Sequence, residues 1–112
     1  MSELRDRLRQ RMLEAVRSRD RDTVVAIRAA LGAMENAEAV ALPAQPGPAV
    51  SLLGVGAAEA ERHELRAAEE QMIVRAEIED LRRAATTYAE AGLDDRARTA
   101  SRGAEALAAA LS

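Results

Sequence analysis

The sequence contains no cysteine, phenylalanine, tryptophan or lysine, and Tyr88 is its only aromatic residue. Without cysteine the chain has no disulfide framework and no thiol chemistry, which fits a reducing compartment. No apolar run approaches the roughly 20 residues that span a bilayer, and nothing resembles a signal peptide. We therefore expect a cytoplasmic protein whose core is built from Leu, Val, Ile, Met and Ala.

The charge of the chain is small overall but unevenly distributed. The net charge is −3, which argues against a free-standing nucleic-acid binder. Residues 1–28 hold eight arginines against five acids, a net of +3, whereas residues 58–80 hold three arginines against eight acids, a net of −5. The most net-positive region is thus the start of the chain, where an anionic partner would bind.

Apolar residues recur at spacings of three and four along four segments, which is the period of one helix face. This pattern predicts helices over about 2–18, 20–39, 65–91 and 94–111. The inward stripes are Leu4, Leu8, Met12, Ala15 and Val16 in the first, Val24, Ile27, Leu31 and Met34 in the second, Val74, Ile78, Leu81, Ala85 and Tyr88 in the third, and Leu93, Ala97, Ala100, Ala104, Leu107 and Leu111 in the fourth. Leu65, Met72 and Ile73 are expected to widen the stripe of the third.

The segments between these helices carry turn signals. Asp20 is a good N-cap after a short turn, and Gly92 suits the residue that follows a helix. All three prolines fall within residues 40–60, which predicts a Pro/Gly-rich loop there. The fold expected for residues 1–112 is therefore a single all-α, four-helix domain, built from two helical hairpins joined by that loop.

Two polar residues of the second helix stand out because we expect them inside its apolar stripe. Arg28 next to Ile27 is expected to be half buried and to form an ion pair with Glu77 of the third helix. Asn36 is expected to bond across to another segment with its side-chain amide.

The sequence offers little for catalysis. His63 is the only histidine, and it lies in a charged run where a solvated role is expected rather than a metal ligand or base. A di-metal carboxylate bundle usually needs two Glu-x-x-His units, and no serine or glycine-rich segment has a catalytic context. We expect no metal, no cofactor and no intrinsic enzyme activity.

Several short segments, taken in order, resemble one known family. They are Asp20, Val24, Ile27-Arg28 and Asn36-Ala37-Glu38 in the second helix, Val74-Arg75-Ala76-Glu77-Ile78 in the third, Tyr88-Ala89-Glu90-Ala91-Gly92-Leu93 at the turn, and Glu105, Leu107 and Leu111 at the end. Their order and spacing resemble the GatB/YqeY family, although Leu93 replaces a usual polar residue.

The resemblance implies an all-α fold with a four-helix subdomain followed by a three-helix one. In the B subunit of tRNA-dependent amidotransferases, the related tail contacts tRNA while other domains do the chemistry. This chain stops at Leu111-Ser112, so the second subdomain is expected to be absent. The label of carbon–nitrogen ligase with glutamine as amido-N-donor is expected to belong to the fused subunit. As structural motif residues, the resemblance implies Asp20, Arg28, Asn36, Glu38 and Glu77.

The function expected is that of a non-catalytic helical adaptor, assisting tRNA-dependent amidotransfer or binding RNA or a protein. The alternative is a helical protein-interaction or oligomerisation module with no RNA role. The residues proposed for RNA or partner binding lie on the first helix and its end, off the core stripe: Arg5, Arg9, Arg17 and Arg19.

Overall fold

A computed structural model describes the backbone of residues 2–41 and 55–112, and the side chains of residues 2–40 and 66–112. Across these ranges the chain is all-helical and contains no strand. The helices are α1 (Glu3–Ser18), α2 (Arg21–Ala41), α3 (Val55–Glu90) and α4 (Asp94–Leu111). The all-α class and the four helices are therefore as the sequence predicts.

The first two helices are separated by only two residues, Arg19 and Asp20. Ser2 caps the start of α1, where its hydroxyl accepts a hydrogen bond from the backbone N–H of Arg5. At the other end, Arg19 takes a left-handed conformation with φ of 61°. Asp20 then caps α2, because its carboxylate accepts hydrogen bonds from the backbone N–H and the hydroxyl of Thr23. The expected N-cap role of Asp20 is confirmed.

Helix α3 is longer than the sequence pattern indicates. It begins at Val55, inside the loop expected over 40–60, whereas the stripe alone suggested a start near residue 65. The last proline is Pro48, and the following residues 57–64 are mainly Ala, Glu and Arg, which are strong helix formers. Propensity rather than an apolar stripe therefore sets this boundary. The rest of the predicted loop, and the side chains of His63 and Leu65, lie outside the described residues.

The turn between α3 and α4 depends on a single glycine. Gly92 has φ of 78°, a conformation that other residues adopt only with strain. The backbone N–H of Gly92 donates to the carbonyl of Ala89 at 3.0 Å, and that of Leu93 donates to the carbonyl of Tyr88 at 2.8 Å. These bonds satisfy carbonyls at the end of α3, as expected for a glycine after a helix.

The core lies where all four helices meet. It contains leucines and alanines with two isoleucines, one valine and one methionine; the buried cluster is Leu4, Leu8, Ala26, Ile27, Ala30, Met34, Val74, Ile78, Ala104, Leu107 and Ala110. Most predicted stripe positions are buried or half-buried. Three are not: Val16 and Met72 are more than half exposed, and Leu93 is 44% exposed.

Small residues bring α2, α3 and α4 close together. A Cβ added at Gly103 would lie 3.1 Å from the Cβ of Ala26 and 3.3 Å from a methyl of Leu81. Gly103 and Ala26 are both buried, so α4 crosses α2 almost backbone to backbone. The alanine-rich core thus compensates for its small side chains by close helix approach.

Substituting Gly103→Leu should destabilise the fold, because the first atom added already crowds Ala26 and a full side chain has no space. We expect a loss of about 1–3 kcal/mol in the free energy of unfolding. Gly32→Leu is the matched control, since a Cβ there meets nothing within 4 Å. Urea denaturation followed by circular dichroism makes the comparison. Equal stabilities for the two variants would contradict the close approach.

Candidate functional site

Of the four arginines predicted to bind RNA, Arg5 has a different role. Its guanidinium donates a hydrogen bond from Nε to Oε2 of Glu70 at 2.6 Å and also pairs with Glu38. The Arg5 side chain is only 16% exposed. Arg5 therefore joins α1 to α2 and α3, and the expectation that it lies off the core for an anionic partner is wrong.

Glu70 is the buried centre of this network. Its side chain is 3% exposed, and its two oxygens accept hydrogen bonds from the Ser2 hydroxyl and from Arg5. Burial lowers the pKa of Arg5, but its hydrogen bonds to Glu70 and Glu38 more than offset this and raise the pKa above its ordinary value. The guanidinium is therefore always charged, as a buried carboxylate requires.

The spacing of Arg5 and Glu70 from core residues of their own helices is a sequence signal for this network. Arg5 lies three residues before Leu8, on the margin of the apolar stripe of α1, and Glu70 lies four residues before Val74 of the α3 stripe. Both positions belong to core-facing rows of their helices. Glu38, named from the family resemblance, lies four residues after the buried Met34.

The other three predicted arginines are exposed. None of the ion pairs between described residues includes Arg9, Arg17 or Arg19. Arg9 and Arg17 lie along α1, and Arg19 lies in the turn that follows it. This part of the proposed binding set is thus accessible to a ligand.

Near this turn the charges are mixed. A cleft of about 560 Å³ lies at the start of α2; it is lined by Arg11, Arg19, Asp20, Arg21, Asp22, Thr23, Arg102, Glu105 and Ala106. The hydroxyl and the backbone N–H of Thr23 lower the pKa of Asp20 below its ordinary value. The Asp20 carboxylate therefore remains ionised and satisfies the start of α2 itself, which leaves less attraction for an external anion.

The predicted ion pair of Arg28 is wrong, whereas the bond predicted from the Asn36 amide to another segment stays a prediction, because the side chains of residues 41–65 lie outside the described residues. Both side chains are exposed, and none of the ion pairs of described residues joins Arg28 to Glu77. Successive helix residues are rotated by about 100°, so the neighbour of the buried Ile27 does not share its face. Asn36 follows the buried Met34 by two residues, which places it on the opposite side.

An apolar groove lies between α2, α3 and α4. It has a volume of about 380 Å³, and its lining is mainly apolar: Asp22, Val25, Ala26, Ala29, Glu77, Leu81, Ala84, Tyr88, Asp95, Arg96, Thr99, Ala100 and Gly103. Val25 is 65% exposed at its edge, whereas Leu81, Ala84 and Tyr88 are half-buried. Glu77 lies here rather than against Arg28. Sequence reasoning did not foresee this groove, because it depends on how three helices diverge.

The described residues hold no group of three or more His, Cys, Asp or Glu side chains that could bind a metal ion. Within the same ranges, no helix is both long and apolar enough to cross a membrane. Comparison of the chain with models of known protein families, with curated proteins and with solved structures found no match.

Substituting Arg5→Ala should cost about 3–5 kcal/mol of unfolding free energy, because it leaves the Glu70 carboxylate buried without a cation. Arg9→Ala, one turn later on the same helix, is the matched control and should change stability by less than about 0.5 kcal/mol. Chemical denaturation of the purified variants measures both. A loss at Arg5 no larger than that at Arg9 would show that the network contributes nothing to stability.

Proposed function

We propose that this chain is a non-catalytic helical adaptor that binds a partner protein through the apolar groove. The observation that carries the proposal is the groove itself, since an apolar, helix-lined concavity is a common docking site for an amphipathic helix. The small side chains of Ala29, Ala84 and Ala100 allow a helix to approach closely. Polar groups at the edge, including Asp22 and Glu77, would select the charge of that helix.

The resemblance to the GatB/YqeY family supplies the class of partner within this proposal. That family is related to the tail of the B subunit of tRNA-dependent amidotransferases, so a component of such an enzyme is the partner we propose. Two helical hairpins joined across residues 42–54 are the arrangement proposed to present the groove; the short α1–α2 and α3–α4 turns support it. The lack of cysteine supports a cytoplasmic location.

Substituting Val25→Arg should abolish partner binding, because it replaces an apolar contact at the groove edge with a charged side chain. Val40→Arg is the matched control, since Val40 is another valine of α2 that is more than half exposed and does not line the groove. Tagged proteins are used to capture partners from the native cytoplasm, and each captured protein is then purified and titrated directly. A partner that binds wild type and both variants alike would contradict the groove proposal.

A second candidate function is contact with RNA through Arg9, Arg17 and Arg19, whose exposure favours it. Three arginines can neutralise about three phosphates, so the logarithm of affinity should fall with that of salt with a slope of about −2 to −3. The chain has one aromatic residue, half-buried in the groove, so base stacking is not available on α1. Binding would therefore be weak and insensitive to sequence.

Replacing Arg9, Arg17 and Arg19 with Gln should abolish this RNA binding, while helical content stays the same. The matched control replaces Arg82, Arg83 and Arg98, which removes the same charge from exposed side chains that pair with acids of their own helix. Fluorescence anisotropy of labelled tRNA at low and moderate salt is the measurement. Equal affinity of the two triple variants for tRNA would contradict the RNA function. The alternative, a protein-interaction module with no RNA role, would then stand.

A further inference from the structure

Helix α1 contributes little to the core of the bundle. Of its 16 residues only Leu4, Leu8 and Ala15 are buried, and only the first two belong to the buried cluster. The other members of that cluster come from α2, α3 and α4, which also meet closely around Gly103. Apolar burial therefore attaches α1 more weakly than it attaches the other three helices to one another.

The polar attachments of α1 lie at its start. Among the described residues, the side-chain bonds that join α1 and its cap to the other helices begin at Ser2, Arg5 and Arg7. Ser2 and Arg5 bind the buried Glu70 of α3. Nε of Arg7 donates to the carbonyl oxygen of Ala110 in α4 at 2.9 Å. We call Ser2, Arg5 and Arg7 the latch of α1.

The opposite end of α1 has the properties of a hinge. Only Arg19 and Asp20 separate α1 from α2, and Arg19 holds a left-handed conformation with φ of 61°. A residue at the end of a helix can absorb a large change of φ and ψ while the elements on either side keep their structure. Arg19 lies about 18 Å along the helix axis from Arg7. A rotation at Arg19 therefore moves the whole latch away from its partners.

The latch holds α1 over the largest side chains of the core. Each of its attachment points on another helix lies about one turn from a core residue: Glu38 from Met34, Glu70 from Val74, and Ala110 from Leu107. Residues at such spacings lie on the same face of a helix. Met34, Val74 and Leu107 are all fully buried. Departure of α1 would therefore uncover them.

We propose that α1 is a hinged lid, which detaches as a unit about Arg19 while α2, α3 and α4 stay folded. Opening breaks the latch, brings Glu70 into water and uncovers an apolar site formed by Met34, Val74 and Leu107. The ion pair of Glu70 keeps the closed state dominant, because a carboxylate stays buried only while a cation pairs with it. None of the three uncovered residues lines the groove, so the lid does not depend on what the groove binds.

Hydrogen exchange of the full chain, followed by mass spectrometry of peptic fragments, measures this opening. A detached helix of 16 residues is marginal in water, so its amides exchange whenever α1 opens. Relative to the rates of an unfolded chain, the amides in the middle of α1 should exchange at least about tenfold faster than those in the middle of α2 and α4.

A variant of the other three helices distinguishes a local opening from global unfolding. Leu81→Ala removes packing against Gly103 and weakens the contacts among α2, α3 and α4. It should speed the exchange of these helices about tenfold and leave that of α1 unchanged, because the lid opens without breaking those contacts. If α1 opened only by global unfolding, all four helices would be accelerated by the same factor.

Arg5→Ala tests the latch. It should speed the exchange of α1 about a hundredfold or more, because the closed state then buries an unpaired carboxylate. Arg5→Lys keeps a charge near Glu70, so its acceleration should be smaller, and it replaces Arg5→Ala if that variant is unfolded by circular dichroism. Arg9→Ala is the matched control and should exchange as wild type does.

Three results would each overturn the inference. The first is a wild-type α1 whose amides are as well protected as those of α2 and α4. The second is a Leu81→Ala variant in which α1 is accelerated as much as the other helices. The third is an α1 exchange rate that neither substitution of Arg5 changes.

Discussion

The buried carboxylate of Glu70 is the constraint on which the position of α1 depends. A carboxylate that is 3% exposed needs a cation and further donors, and both come from the first turn of α1 through Arg5 and Ser2. Only Leu4, Leu8 and Ala15 of this helix are buried, so apolar packing alone attaches it weakly. The ion pair with Glu38 extends the same attachment to α2. The polar network therefore fixes which side of α1 faces the core and which side remains exposed.

The groove follows from the composition of the chain. Without phenylalanine or tryptophan, the spaces between helices are filled by alanine and glycine, and the helices must approach closely to exclude water. Around Gly103 they do so, because α4 meets Ala26 and Leu81 there. Beside the first half of α2, small residues such as Ala29 and Ala84 line the walls and leave a concavity. The same residues that permit tight packing at the crossing thus create an apolar groove beside it.

The sequence predicts the helices well and the polar partners poorly, for one physical reason. Apolar spacing repeats over several turns, so errors at single positions such as Val16 or Met72 hardly affect the assignment. A polar contact depends on the rotation of one residue, and the 100° between neighbours is enough to place Arg28 in solvent beside the buried Ile27. Glu70 is one of many acids in the chain, and only its place four residues before Val74 in the core row sets it apart. The groove requires relative helix positions that no local pattern contains.

The burial of Arg5 changes how the remaining arginines of α1 should be interpreted. Arg9 and Arg17 share their side of the helix with the exposed Leu13 and Val16. Phosphate contacts are electrostatic, so an RNA backbone would gain little from these two apolar side chains. Covering these two side chains would release water from apolar surface, which stabilises the contact. An apolar protein surface with acidic edges can cover them and can also contact the two arginines. The combination of residues on this helix side therefore favours a protein occupant over a nucleic acid.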